Sequence, residues 1–408
     1  MPRPRLLALD SDRQAGLALI RSLGRRGLPV TAAHHEPRSL GMASRHSSGR
    51  FLHPDPDEDG PAFVDALEEH LESEEYFAVF PVVDSTTALL AKHKQRLEAT
   101  GTRVATEDWE RFRLAYDKGR TFALAGGLDV PTPATFTPES ATEAAAIADS
   151  VPYPAVVKSR SKSVWAPDGS HHLHSVSPGD YVEGPEELVE RYAAMVANDD
   201  ALEEYPPIVQ EYVPGETTTT VVLADGGEVR AQFQERRLRT YPASGGNSTL
   251  LDGIDEPRMA EYARRLVGEM GWTGPAQVEF MRTPEGEFYL VEMNGRYWGS
   301  LPLAINSGVD FPWLHYRLLR GLSVPAQAEY RTGVVQRRLL YGDIKWLIEQ
   351  LTDGNPAAVW PFLAAFLTAR HTFVSLRDPA PTLVALRQAV DIGLDVLSGR
   401  GGSPADQW

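Results

Sequence analysis

The order of predicted elements at the start of the chain restricts the possible folds more than any other feature of the sequence. An apolar run at residues 6–9 predicts a buried strand, an amphipathic stretch at 10–27 predicts a helix, and residues 28–35 predict a second strand. A strand, a helix and a strand in this order form a βαβ unit with parallel strands. The sequence therefore predicts an α/β fold that begins with a Rossmann-like parallel sheet.

The same alternation continues, with a predicted helix at residues 61–71, a strand at 76–83 and a helix at 86–97. Asp84 and Ser85 follow that strand at its carboxyl end, where open α/β sheets bind ligands. Both residue types also cap helices. A substrate contact and a helix cap are therefore both open for this pair.

The composition excludes several classes of site. The 408 residues include no cysteine, which rules out disulfides, cysteine-ligated zinc and a cysteine nucleophile. The formal net charge of −16 argues against a general nucleic-acid binder. No apolar run reaches the ~18–20 residues of a membrane span, and the N-terminus does not resemble a signal peptide. We therefore expect a cytoplasmic protein of two or three domains whose partners are small molecules, with neither nucleic acid nor membrane among them.

A hairpin near residue 285 carries the strongest functional signal in the chain. Residues 277–282 and 287–293 alternate apolar and polar side chains around a loop at 283–286. That loop predicts which residues face each other across the two strands. The predicted pairs are Arg282 with Glu287, Glu279 with Leu290, and Gln277 with Glu292.

In this register Glu279 and Glu292 share one face of the hairpin with Gln277 and Leu290, and Asn294 lies just beyond. Two neighbouring carboxylates repel each other unless a cation lies between them, and their hard oxygen atoms suit Mg²⁺. The pattern therefore predicts a magnesium site. A solvated acidic hairpin is the alternative, and a register shift of one residue would separate the two carboxylates.

Basic residues elsewhere in the chain suit phosphate. Arg296, two residues after Asn294, would reach a phosphate or a transferred phosphoryl group. Lys118 and Lys158 are two of only six lysines, and each offers a compact positive charge to phosphate oxygens. An isolated lysine is more often solvated surface, so the significance of these two depends on the surrounding pattern.

A strand ending in Lys158, a polar loop, the strand QEYVPGE and the VEF…VEMN hairpin follow one another in this order. The arrangement resembles the ATP-grasp superfamily over roughly residues 109–320, and within it the carboxylate–amine ligases and carbamoyl-phosphate-synthase-like proteins. The resemblance implies a three-part fold. Its parts are a Rossmann-like domain at residues 1–112, a two-lobed α+β ATP-grasp domain at 113–322 with a mobile lid lobe at about 124–213, and a mainly helical C-terminal segment at 323–408.

The resemblance also implies the cofactors ATP and one or two Mg²⁺ ions, with Mn²⁺ as an alternative, and it implies a role for each matching residue. These roles are adenine binding by Gln210, Glu211, Tyr212 and Val213, ribose binding by Glu216, phosphate binding by Lys118 and Lys158, metal binding by Glu279, Glu292 and Asn294, and stabilisation of an acyl phosphate by Arg296.

A second set of candidates follows the strand at residues 229–237. Arg237 and Arg239 suit the capture of a carboxylate or phosphate through paired hydrogen bonds, and the glycines at 245 and 246 allow close backbone approach. In related ligases a similar stretch lies over the acyl phosphate and the substrate carboxylate. The resemblance therefore implies catalytic roles, first for Arg237 and second for Arg239. A glycine turn beside surface arginines is the alternative.

The loop after Lys158 departs from the family pattern. In many ATP-grasp proteins this loop is glycine-rich and closes over the phosphates, whereas residues 159–176 contain a single glycine, Gly169. We expect the side chains at 161–163 to contact phosphate instead. The loop histidines, at positions 171, 172 and 174, are expected to be solvated rather than metal-bound.

The resemblance implies an ATP-dependent ligase that joins a carboxylate to an amine, often an amino acid, through an acyl phosphate and releases ADP and phosphate. An ATP-grasp kinase and a non-catalytic nucleotide-binding regulator are the alternatives. The intact set of Glu279, Glu292, Asn294 and Arg296 argues against a regulator. No side chain stands out as a general base, the acid and the amine cannot be named, and a homodimer is a further expectation.

Overall fold

The parallel sheet predicted at the start of the chain is present. The computed structural model describes residues 3–165, 171–243, 246–327 and 329–397. The first elements are β1 (Leu6–Ala8), α1 (Gln14–Arg25), β2 (Val30–His34), α2 (Leu40–Ala43), β3 (Gly49–Leu52), α3 (Gly60–Ser73), β4 (Ala78–Phe80), α4 (Asp84–Lys92), α5 (Lys94–Glu98) and β5 (Arg103–Val104). The strands are all parallel and lie in the order β3-β2-β1-β4-β5. The helix predicted at residues 86–97 is two helices, α4 and α5.

Asp10 organises the edge of this sheet that faces the rest of the chain. Its backbone has a positive φ of 51°, a conformation that aspartate tolerates better than most residues. Its buried carboxylate accepts hydrogen bonds from the amides of Val82 and Val83 and from Thr86 Oγ1 at 2.7 Å. These bonds fix the loop after β4, so that Asp84 stands at the carboxyl end of the sheet.

The next part of the chain forms a smaller lobe. Its elements are α6 (Trp109–Tyr116), α7 (Lys118–Gly126), β6 (Thr135–Phe136), α8 (Ala141–Ile147), β7 (Ala155–Lys158), β8 (Ser163–Trp165), β9 (His171–Leu173), β10 (Tyr181–Val182), α9 (Pro185–Ala197), α10 (Ala201–Glu204) and β11 (Ile208–Glu211). An antiparallel sheet in the order β10-β7-β11-β6 contains Lys158 at the end of β7. The stretch at 159–184, which the sequence suggests to be irregular, contains β10 and the antiparallel hairpin β8–β9.

A large sheet carries the remaining functional candidates. Its elements and their helices are β12 (Glu216–Asp225), β13 (Glu228–Tyr241), β14 (Asn247–Ile254), α11 (Pro257–Met270), β15 (Gly274–Arg282), β16 (Phe288–Asn294), α12 (Leu301–Ser307), α13 (Phe311–Leu319), β17 (Val335–Arg337), α14 (Ile344–Thr352), α15 (Val359–Thr368), β18 (Ala369–His371) and α16 (Ala380–Leu397). The strand order is β16-β15-β12-β13-β14-β17-β18, antiparallel except for β17 and β18. On one face, Val222 and Phe280 pack against Leu266 of α11 and exclude water from that side.

The predicted register of the β15–β16 hairpin is wrong, although the two carboxylates share one face as predicted and lie directly opposite each other. The pairs in the structure are Arg282 with Phe288, Phe280 with Leu290, Glu279 with Glu292, and Gln277 with Asn294. A β-bulge at Val291 adds one residue to β16 and resets the alternation between the two halves of the strand. As a result, Leu290 is fully buried in the apolar core instead of lying beside the carboxylates.

The C-terminal segment is mainly helical, as predicted, but it also adds β17 and β18 to the large sheet. Helix α16 returns to the N-terminal sheet, where Ala385 packs with Leu17, Leu40 and Phe373. The two ends of the chain therefore share one small apolar cluster. Among the described residues, no helix is both long and apolar enough to cross a membrane. The domain boundaries at residues 112 and 322 stay a prediction.

Candidate active site

A row of polar side chains crosses the large sheet on the face that opens on the cleft. Glu292 on β16 faces Glu279 on β15, Glu279 faces Thr219 on β12, and Thr219 faces Glu235 on β13. Neighbouring strands lie about 4.8 Å apart, so the two strand spacings from Glu279 to Glu235 amount to about 10 Å. The register thus brings three carboxylates of distant sequence onto one line.

Glu292 is held by two lysines from the smaller lobe. Lys162 Nζ lies 2.6 Å from its Oε1, and Lys118 Nζ lies 3.6 Å from its Oε2. Asn294 Nδ2 donates a third contact at 3.0 Å. Burial alone would raise the pKa of the Glu292 carboxyl, but the two ammonium groups lower that pKa well below its usual range. Burial lowers the pKa of Lys118, and Glu292 opposes that effect.

Glu279 has a separate cationic partner. Arg237 Nη2 lies 2.6 Å from Glu279 Oε2, and Arg237 Nη1 also donates to the Gly246 carbonyl at 3.3 Å. Gly246 folds back on its own hairpin so closely that a Cβ there would lie 2.1 Å from the Tyr241 carbonyl oxygen. The close approach expected of this glycine is therefore to the neighbouring strand, while position 245 lies outside the described residues. Arg237, Glu279 and Glu292 therefore belong to one cluster.

Arg296 links the hairpin to the N-terminal sheet. Its Nη2 lies 2.6 Å from Asp84 Oδ2, and its buried Nε has no hydrogen-bond partner among the described residues. Burial disfavours the charged guanidinium, but Asp84 overcomes this and raises the pKa of Arg296. Asp84 thus serves neither as the N-cap of α4, which is Val83, nor as a side chain free in the cleft. Gly295 lets this turn pack on Trp272, 2.5 Å from where a Cβ would stand.

Lys158 lies deeper in the smaller lobe. Its Nζ donates to Gln210 Oε1 at 2.7 Å and lies 5.6 Å from the centre of the Phe122 ring. Burial, aided by the nearby charge of Lys118, lowers the pKa of Lys158 to about 7. An anionic phosphate close to this amine would restore its full charge.

The residues expected to bind adenine and ribose lie at the end of β11 and just after it. Glu211 accepts from the Ala134 amide at 3.1 Å, and Tyr212 is exposed with its ring against that of Tyr181. Val213 is partly buried. Glu216 forms a 3.1 Å ion pair with Arg282 at the edge of the large sheet. Adenine and ribose contacts by these residues stay predictions.

Arg239 is not brought into this cluster. Its guanidinium forms an ion pair with Asp343 at 3.1 Å and stacks over Trp346 at 4.2 Å. A β-bulge in β13 between Arg237 and Arg239 breaks the two-residue alternation, so the two arginines do not share a face. Arg239 therefore packs under the C-terminal helices.

The β8–β9 hairpin lies over the cleft and places Lys162 on Glu292. The loop histidines lie against acids rather than in solvent: His172 Nδ1 and His174 Nε2 lie 2.9 and 3.2 Å from Asp199, and His171 Nδ1 lies 3.4 Å from Asp57. Gly169, the single glycine of this loop, lies outside the described residues. The Lys162–Glu292 ion pair and these histidine contacts thus tie the hairpin to both lobes of the molecule.

The donor set fits a magnesium ion that arrives with a nucleotide. Glu279 and Glu292 face each other directly, and Asn294 lies beside Glu292. Among the described residues, no three His, Asp or Glu side chains gather closely enough to hold a metal ion alone. Mg²⁺ commonly uses one or two carboxylates and completes its shell with phosphate oxygens and water. The residues present therefore suit Mg²⁺ bound to ATP rather than a metal enclosed by protein.

The cleft beside this cluster has a volume of about 300 Å³ at the boundary between the N-terminal sheet and the large sheet. The cleft and the adjoining cavity are also lined by three charged residues that the sequence did not single out. These are Arg13, Glu235 and Arg338. Lys162, which was only one of several candidates in its loop, makes the shortest contact to Glu292. Glu235 carries no sequence signal, because only the cross-strand register places it in line with Glu279.

Comparisons with known proteins agree with this geometry. The family model described as "ATP-grasp in the biosynthetic pathway with Ter operon" matches residues 203–339. A carbamoyl phosphate synthase large chain of Rubrobacter xylanophilus is 26% identical over 343 residues, which cover 76% of this chain and 31% of that protein. A D-alanine–D-alanine ligase of Alkalilimnicola ehrlichii is 27% identical over 229 residues, covering 50% and 65%. The chain thus spans less than two thirds of each relative.

Solved structures share the fold at lower identity. A biotin carboxylase complex from Campylobacter jejuni matches with a TM-score of 0.64 and 16% identity, covering 82% of this chain and 74% of that one. An N5-carboxyaminoimidazole synthetase from Staphylococcus aureus matches with a TM-score of 0.62 and 14% identity, covering 86% of each chain. Over residues 203–339 the chain is thus similar to the ATP-grasp family, and the similarity to the two curated relatives covers 50% and 76% of its length.

Proposed function

We propose that the protein is an ATP-dependent ligase that joins a carboxylate to an amine through an acyl phosphate. One observation carries the proposal: Glu279 and Glu292 face each other across two strands while Lys118, Lys162 and Arg237 converge on them. A phosphoryl group transferred at such a site would meet positive charge on several sides. Transfer of this kind depends mainly on positioning and on electrostatic stabilisation.

In this proposal, Glu279, Glu292 and Asn294 would hold one or two Mg²⁺ ions, which would offset the charge of the phosphates. Lys118 and Lys162 would leave Glu292 and turn toward phosphate oxygens once that metal charge neutralises the carboxylate. Lys158 and the strand end at residues 210–213 would hold the nucleotide.

The remaining cations would act on the reacting groups. Arg296 would bind the acyl phosphate through the edge that carries its unpartnered Nε, while Asp84 keeps the guanidinium in place. Arg237 would bind the substrate carboxylate next to Glu279. The β8–β9 hairpin would cover the cleft and exclude water, which would otherwise hydrolyse the intermediate.

A substrate screen tests this function. Purified protein would be incubated with Mg-ATP and pairs of carboxylates and amines, and the release of ADP and phosphate and the mass of the product would be recorded. A ligase releases ADP and phosphate together, and only when both substrates are present. ADP without free phosphate would indicate a kinase instead, and nucleotide binding without turnover would indicate a regulator.

Glu292→Gln is the variant expected to be inactive in this screen, because it removes the carboxylate around which the lysines gather. Glu285→Gln, in the exposed turn of the same hairpin, is the matched control. Amine-dependent ADP release that survives in Glu292→Gln at the wild-type rate would contradict the proposed site.

A further inference from the structure

One carboxylate on the cleft face takes no part in the cluster described above. Glu235 has only 2% of its surface exposed, and its Oε1 accepts a hydrogen bond from Ser300 Oγ just before α12. Its Oε2 is also buried and has no hydrogen-bond partner among the described residues. A buried carboxylate oxygen without a partner is costly, so its retention calls for an explanation.

Glu235 lies on the same row of side chains as the proposed phosphate-binding cluster, two strands away from Glu279. Thr219 on β12 is the only residue of the row between Glu235 and Glu279. The resulting separation of about 10 Å leaves room for one reacting carbon and its phosphoryl group between the two acids. A substrate held at Glu235 would therefore approach the acyl phosphate from the side opposite Glu292.

The charges around this part of the cleft select what Glu235 can bind. The same cavity of about 150 Å³ is lined by four basic residues, Lys162, Arg237, Arg296 and Arg338, and by two acids, Glu235 and Glu279. Lys162 is paired with Glu292, and Arg296 is paired with Asp84. Glu279 is already paired with Arg237. The unpartnered oxygen of Glu235 is thus the acceptor available to a donor group on a substrate, and a primary ammonium ion supplies such donors together with the matching charge.

We propose that Glu235 forms the binding subsite for the amine substrate and accepts its proton before the amine attacks. The inference rests on the proposed ligase function. The substrate enters as an ammonium ion, R–NH₃⁺, which hydrogen-bonds to Oε2. One proton passes to Glu235 and frees the nitrogen lone pair, which forms the new C–N bond at the acyl carbon. The C–O bond to phosphate breaks, phosphate leaves, and the second amine proton goes to the leaving phosphate.

The proton affinity of Glu235 agrees with this role. Burial raises the pKa of its carboxyl to about 8, Ser300 and Arg237 act in the opposite direction, and Glu279 adds to the rise. A base of this strength takes a proton from an ammonium ion more readily than an ordinary carboxylate does. The bound positive charge would in turn favour the ionised form before transfer.

Hydroxylamine allows the proposal to be tested apart from the ligase function itself. This small nucleophile is largely unprotonated at neutral pH, so it needs no base to attack an acyl phosphate, and it gives a coloured hydroxamate. The common protein amino acids would be supplied as carboxylates with Mg-ATP, and the nucleophile would be either hydroxylamine or a second amino acid. Wild-type protein and Glu235→Gln would be compared in both reactions.

We expect Glu235→Gln to lower kcat/KM for the amino-acid amine by about 10²-fold or more and to leave hydroxamate formation close to wild type. Loss of both reactions to the same extent, or of neither, would overturn the assignment. Glu228→Gln, an exposed position on the same strand, is the matched control and should change neither. Ser300→Ala, which loosens Glu235 without removing it, should show a smaller loss confined to the amino-acid reaction.

The two hypotheses fail differently. If wild-type protein forms no hydroxamate with any of the carboxylates offered, the ligase function itself is contradicted and the amine subsite falls with it. If the hydroxamate forms in both proteins and the amino-acid reaction is unchanged in Glu235→Gln, the ligase stands and the subsite alone is wrong. Thermal unfolding of each variant verifies that the comparison is made between folded proteins.

Discussion

Two clusters in this molecule have the same composition, one carboxylate between two cations, but differ in their access to the cleft. Glu292 lies between Lys118 and Lys162, and the side chain of Lys162 is 44% exposed. In the second cluster, at the C-terminal end of the large sheet, Asp343 lies between Arg337 at 2.6 Å and Arg239 at 3.1 Å. Asp343 and Arg337 have no exposed side-chain surface.

The partners of the two clusters explain the difference. The guanidinium of Arg337 lies over the rings of both Phe362 and Phe366, at 4.2 and 4.3 Å from their centres, and a guanidinium suits such a permanent contact with aromatic rings. The lysines around Glu292 come from a separate lobe and hold the carboxylate through single ammonium groups. The arginine cluster is built as fixed structure, whereas in the proposed function the lysine cluster would exchange its partners when phosphates arrive.

Removal of the central acid of the buried cluster should have the largest effect. Asp343→Asn leaves Arg337 and Arg239 buried with no opposing charge, and breaking such a pair typically costs about 3–5 kcal/mol. We expect a loss of that size in the free energy of unfolding, measured by urea denaturation. Asp225→Asn, which breaks an exposed pair with Arg230, should cost less than about 1 kcal/mol. Equal losses in the two variants would contradict a structural role for the Asp343 cluster.

The corresponding change in the lysine cluster should act on activity instead. Glu292→Gln removes the charge that orders the proposed phosphate-binding site, and loss of one such electrostatic group commonly lowers kcat by about 10²–10³-fold. Because Lys162 can turn to water, we expect the free energy of unfolding to change by less than about 2 kcal/mol. Rates of ADP release and urea denaturation on the same preparation would measure both effects. A large loss of stability with intact turnover would reverse the assignment of the two clusters.

Lys158 provides a test of charge exchange that does not depend on the identity of the substrates. Burial lowers its pKa from 10.5 in the unfolded chain to about 7, so between these pH values the unfolded chain binds more protons and stability rises with pH. A bound phosphate would restore the charge of this amine. Near pH 8 we therefore expect ATP binding to take up about one proton, measured by calorimetry in buffers of different ionisation enthalpy.

Lys158→Met is the control for that experiment, because it keeps the contact with Phe122 but cannot take up a proton. If the wild-type protein binds ATP near pH 8 without proton uptake, Lys158 is either charged already or remote from the phosphates. Either result would contradict the proposed charge exchange at Lys158, and the second would also contradict its phosphate-binding role.

The difference between Arg237 and Arg239 shows where the sequence is a sufficient guide and where it is not. The alternation of apolar residues predicts the strands, and the order of strands and helices predicts the parallel sheet. Both arginines then appear on one face, since side chains two residues apart normally share it. The β-bulge between them sends Arg239 to Asp343 while Arg237 stays on Glu279. A bulge depends on how two strands twist against each other, which no single strand encodes.

In the β15–β16 hairpin, by contrast, a bulge did not disturb the predicted proximity of the two carboxylates. The predicted register was wrong, and the bulge at Val291 nevertheless places Glu279 opposite Glu292. Residues brought in from elsewhere were harder to foresee: Lys162 reaches Glu292 across 130 positions, and Asp84 reaches Arg296 across 212. Such contacts arise from the packing of lobes, so motif spacing predicts the carboxylates but not the cations that balance them.

Arg239 offers the smallest and most discriminating test of the comparison. Arg239→Met keeps an apolar stem against Trp346 and leaves Asp343 paired with Arg337, so we expect a loss of about 1–2 kcal/mol in the free energy of unfolding. Turnover per folded molecule should stay near wild type, because the side chain lies outside the cleft. Arg237→Met should instead lower turnover strongly with little effect on stability. If Arg239→Met lost activity while its unfolding curve matched wild type, Arg239 would have to leave Asp343 during turnover, and the buried cluster would then exchange partners as the lysine cluster is proposed to do.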